Sequence, residues 1–317
     1  MDFTKLTGYL NTLEEKYSVH GLDIKITKEH DTVYRYMTGH SDHDGKVPVS
    51  EGDLYDIFSC TKVITMTGVM QLVEQGKIDL YAPLETYLPE FASMQYASDF
   101  KVRQFPFSWP TEESALLPAQ NKIHIHQLMS MTSGMSYDVA AKPIREVVNA
   151  TNGKANTRQI VAAMAKMPLL FEPGTHYSYA LGHDVLAAVI EVVTGMTFGE
   201  YMKKNVFAPL GITEMYYQIP ESEKHRLSAQ YAKDWNTGEI KPDKSMIYRI
   251  TRNYESGGAG LAATVNEYSK VIDALANGGT GSNGSQILTP NAISTMSRNW
   301  LTDVQMSDFS RTGKAGY

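Results

Sequence analysis

The chain has 317 residues, 42% of them hydrophobic and 20% charged, a balance that excludes a disordered or fibrous protein and provides for a large core. Its 29 Lys and Arg stand against 35 Asp and Glu, a formal net charge of −6 with no basic block, so nucleic acid is not an expected partner. A single cysteine, Cys60, cannot close an internal disulfide. The opening segment lacks the apolar run of a signal peptide and no stretch is long enough to span a bilayer, so no membrane partner and a cytoplasmic location are expected.

Phe3, Leu6, Leu10 and Leu13 recur at helical spacing and predict an amphipathic helix. Leu22, Ile24 and Ile26 then alternate with polar residues, Lys28-Glu-His-Asp31 makes a turn, and Thr32 to Thr38 is β-branched and aromatic, which together predict an antiparallel hairpin. Ser41-Asp-His-Asp-Gly45 resembles the start of a calcium loop without its later acidic ligand and reads as a polar turn. From Cys60 to Gln75 helix formers run continuously to Gly76, which predicts a buried helix with a glycine stop. Further helices are predicted around His126 to Met131, Thr157 to Lys166, His183 to Thr194, Phe198 to Val206 and Val265 to Asn277. The longest stretch without a clear element runs from Met94 to Gln120 and includes Trp109.

Ser59-Cys60-Thr61-Lys62 opens the buried helix and places a hydroxyl and an amine three residues apart, hence on one face. There the amine can take the proton that makes serine a poor nucleophile, while the helix N-terminus offers amide donors to an acyl oxyanion. An N-cap serine beside a solvated lysine is the plainer account of the same four residues. Cys60 also stands at the helix start, but a quarter-turn from Ser59 it is expected to face the core. His124 and His126 have no carboxylate or cysteine nearby in sequence to complete a metal site. His176 and His183 have no G-x-S-x-G elbow to serve and read as structural, and Gly279-Thr-Gly-Ser-Asn-Gly284 reads as a turn.

Four segments carry a resemblance. Tyr55-Asp-Ile-Phe-Ser-Cys-Thr-Lys62 with the following Gly68 to Leu80 and Leu84 to Glu90, Ile123 to Gly134 ending in Thr-Ser-Gly, Glu172-Pro-Gly-Thr-His-Tyr-Ser-Tyr179 with its continuation to Leu186, and Gly257-Gly-Ala-Gly-Leu-Ala-Ala-Thr264 resemble, in order, segments of the serine β-lactamase and penicillin-binding-protein-like hydrolases, most closely the class C and carboxylesterase branch. The resemblance implies Ser59 as nucleophile, with Lys62 and Tyr177 handling the proton, and a phenol of depressed pKa at Tyr177. It puts Tyr179 where β-lactamases carry an asparagine, which favours an esterase-like pocket, and puts Tyr137 on the acyl pocket; both are candidate substrate-binding residues. No metal or organic cofactor is implied.

The family's third motif, a Lys- or His-containing triad ending in glycine on a strand, has no clear counterpart. Arg311-Thr-Gly313 and Lys314-Ala-Gly316 imitate its spelling without a β-branched run and read as loop, and a fragment of a longer enzyme is the favoured reading. The expected fold is α+β and β-lactamase/transpeptidase-like, an antiparallel sheet flanked by helices with an inserted all-helical lobe. Residues 1–58 would form the N-terminal helix and hairpin of the α/β lobe, 59–256 the mainly helical lobe with the nucleophile at its start, and 257–317 an incomplete return to the first lobe. The expected activity is that of a serine hydrolase working through an acyl-enzyme on small ester or amide substrates, carboxylesterase-like. The alternatives are a β-lactamase or D-amino-acid peptidase and, from another class, a truncated non-catalytic binding or assembly module. Self-association is an expected partner mode where the sheet is incomplete.

Overall fold

The computed structural model describes residues 1–101, 108–111, 113–234, 236–243 and 246–311. In chain order the elements are α1 (Thr4–Leu10), α2 (Leu13–Tyr17), β1 (Gly21–Lys28), β2 (Asp31–Gly39), β3 (Tyr55–Asp56), α3 (Thr61–Glu74), β4 (Gln95–Ala97), β5 (Leu116–Pro118), α4 (Ile125–Met129), α5 (Lys142–Ala150) and α6 (Thr157–Met164). Then come α7 (Gly182–Thr194), α8 (Phe198–Met202), β6 (Met215–Tyr216), β7 (Gln230–Lys233), β8 (Ile240–Asp243), β9 (Ala262–Ala263), α9 (Val265–Ala276), α10 (Pro290–Ser297) and α11 (Asp303–Phe309). The chain divides into two compact units: Met1–Phe58 with Val206–Met246 and Leu261–Ile293, and Ser59–Asn205 with Ile247–Gly260 and the described residues from Ser294 on. Of the stretch expected to return to the first lobe, the described residues 257–311 are shared between the units.

In the first unit β1 and β2 form the expected hairpin, paired antiparallel from Gly21 opposite Gly39 to Lys28 opposite Asp31. Its turn is built on positive φ at Glu29 and His30, the mirror-image geometry that matches strand twist. A second, three-stranded antiparallel sheet has the order β3-β9-β6, and β7 pairs with β8. The expected opening helix is two short ones. Leu10 is its buried anchor, and α2 ends at Ser18 in the left-handed region. The Asp42 carboxylate accepts from the amides of Lys46 and Val47, closing the acidic loop as a turn.

The second unit is built around α7, whose residues from Gly182 to Ile190 are all buried. An element hidden on all sides must be apolar all round, and α7 packs against α3, α4, α6 and α8. Gly182 lets its first turn approach α4, since a Cβ there would lie 2.6 Å from the Leu128 carbonyl. The α3 helix ends where expected, with Gly76 at φ 67°. Of the stretch from Met94 to Gln120, the described residues are pinned by the β4–β5 pair and by Trp109, whose buried indole donates to the Asp138 carbonyl. Among the described residues no single helix is long and apolar enough to cross a membrane.

Candidate active site

Ser59 is the second residue of a 3-10 turn, Phe58–Cys60, that leads into α3. Phe58 takes φ 41°, a left-handed conformation costing a non-glycine residue on the order of 1 kcal/mol, and Ser59 beside it is exposed. Lys62, one turn on, is buried. Its ammonium donates to Ser59 Oγ at 3.3 Å, to Tyr137 Oη at 3.2 Å and to the Gly258 carbonyl at 2.7 Å. It also lies 5.0 Å from the Tyr137 ring centroid and 4.7 Å from that of Tyr179, so two aromatic faces share in holding the cation. Tyr179 donates its hydroxyl to Ser59 Oγ at 2.5 Å. Ser59 Oγ therefore meets an amine and a phenol at once.

Tyr177 does not join them. Its ring is buried edge-on against Phe309 and its hydroxyl lies 3.7 Å from Met131 Sδ, so the tyrosine beside Ser59 is Tyr179, two residues on from the one expected there. Counted from Tyr179, the third residue of the motif is Leu181. Nor is the phenol acidic: burial pushes Tyr177 up to about 12, and burial also raises Tyr179, against the Ser59 hydrogen bond that lowers it. Tyr137 is raised by burial first and then by the Asp184 charge. At neutral pH these phenols carry their protons, and Tyr179 is equipped to pass a proton along rather than to act as a standing phenolate.

Other expectations for single residues also change. Cys60 is exposed and does not face the core. Tyr137 is a direct partner of Lys62, and it stacks obliquely with Tyr179 at 5.0 Å and edge-on with Tyr248 at 5.5 Å. His124 and His126 stack on one another at 5.9 Å, and among the described residues no group of three His, Cys, Asp or Glu is placed to hold a metal ion. His176 pairs with Asp308 at 2.8 Å. His183 is fully enclosed, and burial and then the Lys62 charge keep its imidazole neutral. The third-motif imitations at 311–316 lie outside the described residues, apart from Arg311.

Three groups escaped the sequence: Tyr248, Asp184 and the Gly258 carbonyl. Tyr248 follows no helical or strand period. A backbone carbonyl carries no signal at all, although the run of glycines at 257–260 marks a close approach, and a Cβ on Gly257 would lie 2.3 Å from the His183 carbonyl. Asp184 sits in the first turn of α7, ahead of the apolar run Val185–Ile190, a place that suits a carboxylate for dipole reasons alone.

A serine, a lysine one turn on and a tyrosine returning from another segment form the constellation that the four sequence segments imply, and the family model described as Beta-lactamase matches residues 6–316. The chain belongs to the beta-lactamase family. Within it, the lovastatin esterase of Penicillium rubens is 30% identical over 79% of this chain and 61% of its own. Acyltransferase calJ of Penicillium decumbens is 26% identical over 86% and 63%. Among solved structures, the unliganded simvastatin synthase from Aspergillus terreus superposes with a TM-score of 0.73 at 21% identity, covering 98% of this chain and 76% of that one. The fold is β-lactamase/transpeptidase-like, and family members are serine hydrolases or acyltransferases. The chain spans less than two thirds of the length of the curated relatives it matches.

Proposed function

We propose that this chain is a serine hydrolase of carboxylesterase type that works through an acyl-enzyme on Ser59. The observation that carries the reading is the convergence of Lys62 Nζ and Tyr179 Oη on Ser59 Oγ, at 3.3 and 2.5 Å. Ser59 Oγ bonds to the acyl carbon as its proton passes to Lys62, whose ammonium has first given its own proton to solvent to become the neutral amine. The bond to the leaving alcohol then breaks, the alcohol takes the Tyr179 proton, and Lys62 returns a proton to Tyr179. The Ser59 amide at the start of α3 contributes to holding the oxyanion. Water attacks the ester in the second half and releases the acid with the same groups in reverse. A small ester or amide suits a nucleophile flanked by Tyr137 and Tyr179, and with leucine at the third position of the motif the reading favours esters over β-lactams.

The acyltransferases among the relatives favour one second reading, in which an alcohol rather than water takes the acyl group. The test is turnover of short-chain aryl esters beside a chromogenic cephalosporin, with and without an added alcohol, and with Ser59→Ala as control. Ester turnover that is lost in the control supports the proposal, and a transferred ester in the alcohol arm adds acyl transfer. Cephalosporin turnover with no ester turnover contradicts it.

A further inference from the structure

Asp184 is 1% exposed and lies in the first turn of α7, and nothing in the reaction above uses it. Its Oδ1 accepts from Tyr254 Oη at 2.6 Å, from Ser256 Oγ at 2.6 Å and from the Gly258 amide at 3.4 Å. Ser256 Oγ in turn accepts from the Ala259 amide at 3.0 Å. One carboxylate oxygen thus ties down residues 254–259. From this tied segment the Gly258 carbonyl accepts from Lys62 at 2.7 Å and the Gly257 carbonyl accepts from Thr65 Oγ1 at 2.7 Å. The other oxygen, Oδ2, is buried without a hydrogen-bond donor among the described residues. A Cβ on Gly258 would lie 2.5 Å from Oδ2 and 3.6 Å from Lys62 Nζ, so carboxylate and ammonium both border the space that the absent side chain of Gly258 leaves open.

We propose that Asp184 is the positioning residue of Lys62: it fixes the 254–258 segment that aims the Gly258 carbonyl at the amine, and its unshared oxygen supplies the negative charge that the amine faces across Gly258. This rests on the reading of Ser59 and Lys62 as nucleophile and proton acceptor. A buried anion left one oxygen short of donors is costly unless a cation balances it, and Lys62 stands on the open side. Glycine at 258 is what lets the two face each other. The groups that face the pair are Ser59, Tyr137 and Tyr179 on the Lys62 side, Tyr254 and Ser256 on the Asp184 side, and His183 from α7. Among these Asp184 is the carboxylate, so its replacement by the amide takes one negative charge from the amine's surroundings.

The test is the rate of Ser59 labelling by a fluorophosphonate as a function of pH, in the whole chain and two variants. In Asp184→Asn the lost charge favours the neutral amine, so the acid limb of the profile moves to lower pH by about one unit, the scale of one opposite charge at a buried site. Its plateau falls as the tethers slacken, and Asp184→Glu, which restores the charge, brings the limb back. Ser256→Ala keeps the charge and cuts one tether. It labels about five-fold more slowly, the scale of one hydrogen bond, with the limb unmoved, and it decides the matter should Asp184→Asn fail to fold. A folded Asp184→Asn with an unmoved limb, or Ser256→Ala at the full rate, overturns the inference while leaving the hydrolase intact. An unlabelled wild-type chain overturns the hydrolase reading itself, and the inference with it.

Discussion

Two tyrosines separated by one residue occupy different worlds in this site. Tyr179 touches Ser59 and Tyr177 touches Met131 and Phe309, so the proposed proton relay belongs to the first and packing to the second. Tyr179→Phe keeps the ring and removes only the hydroxyl, and ester kcat/KM should fall by about 10²- to 10⁴-fold, the usual worth of a positioned acid or base. Tyr177→Phe should stay within a few-fold of wild type; equal losses in both would contradict the assignment. The Ser59 and Lys62 pair was legible in the sequence because i and i+3 on a helix are neighbours however the rest folds. Which of Tyr177 and Tyr179 turns inward was not, because adjacent-but-one residues in an irregular loop have no fixed period. Asp184, Tyr248 and Gly258 were illegible for a related reason: they reach the site only through tertiary approach, Gly258 at Lys62, Tyr248 at the Tyr137 ring and Asp184 at the 254–258 segment.

The helices show the same division between local and distant causes. The α3 and α7 helices could be read from their apolar runs and their glycine stops at Gly76 and Gly195. The α5, α10 and α11 helices were not, although Pro143 and Pro290 near two starts and the Thr302–Gln305 capping box at the third are local signals of a helix N-terminus. The short α8 is held at its start by anions: Glu191 accepts from the Phe198 amide at 3.0 Å, Glu255 from the Gly199 amide at 2.7 Å, and Glu200 from the Thr197 amide at 2.9 Å. Crowding has a consequence. Burial first, then the neighbouring Glu255 charge, pushes the Glu191 carboxyl from its ordinary 4.5 to about 7. A pKa raised on folding means that the native state holds the proton more tightly, so this residue's contribution is complete below about pH 4.5 and is lost as the pH rises through about 7. Glu191→Gln should flatten that part of the Tm profile and raise Tm at pH 8 relative to wild type. A Tm profile unchanged by the substitution would show that Glu191 does not titrate in this window.

At the scale of the molecule, four short segments in the right order identified the family where no single one was specific, because each marks a different part of one fold. The sequence could not tell how the chain partitions: the described residues 257–311 are shared between two compact units, a matter of which long-range contacts win. Leu186, fully buried in α7, belongs to the common core of the second unit. Leu186→Ala should cost about 2–5 kcal/mol in urea unfolding, and at temperatures where the variant stays folded it should label at Ser59 as wild type does. A loss under about 0.5 kcal/mol, smaller than a deleted buried side chain produces, would mean that α7 is not the core. Everything proposed for the site requires Ser59 to be an activated nucleophile, which an intact mass spectrum before and after a fluorophosphonate, followed by peptide mapping, tests directly. The account predicts one adduct, on Ser59, absent from Ser59→Ala and slowed in Lys62→Ala. No adduct, or an adduct that persists in Ser59→Ala, would contradict it.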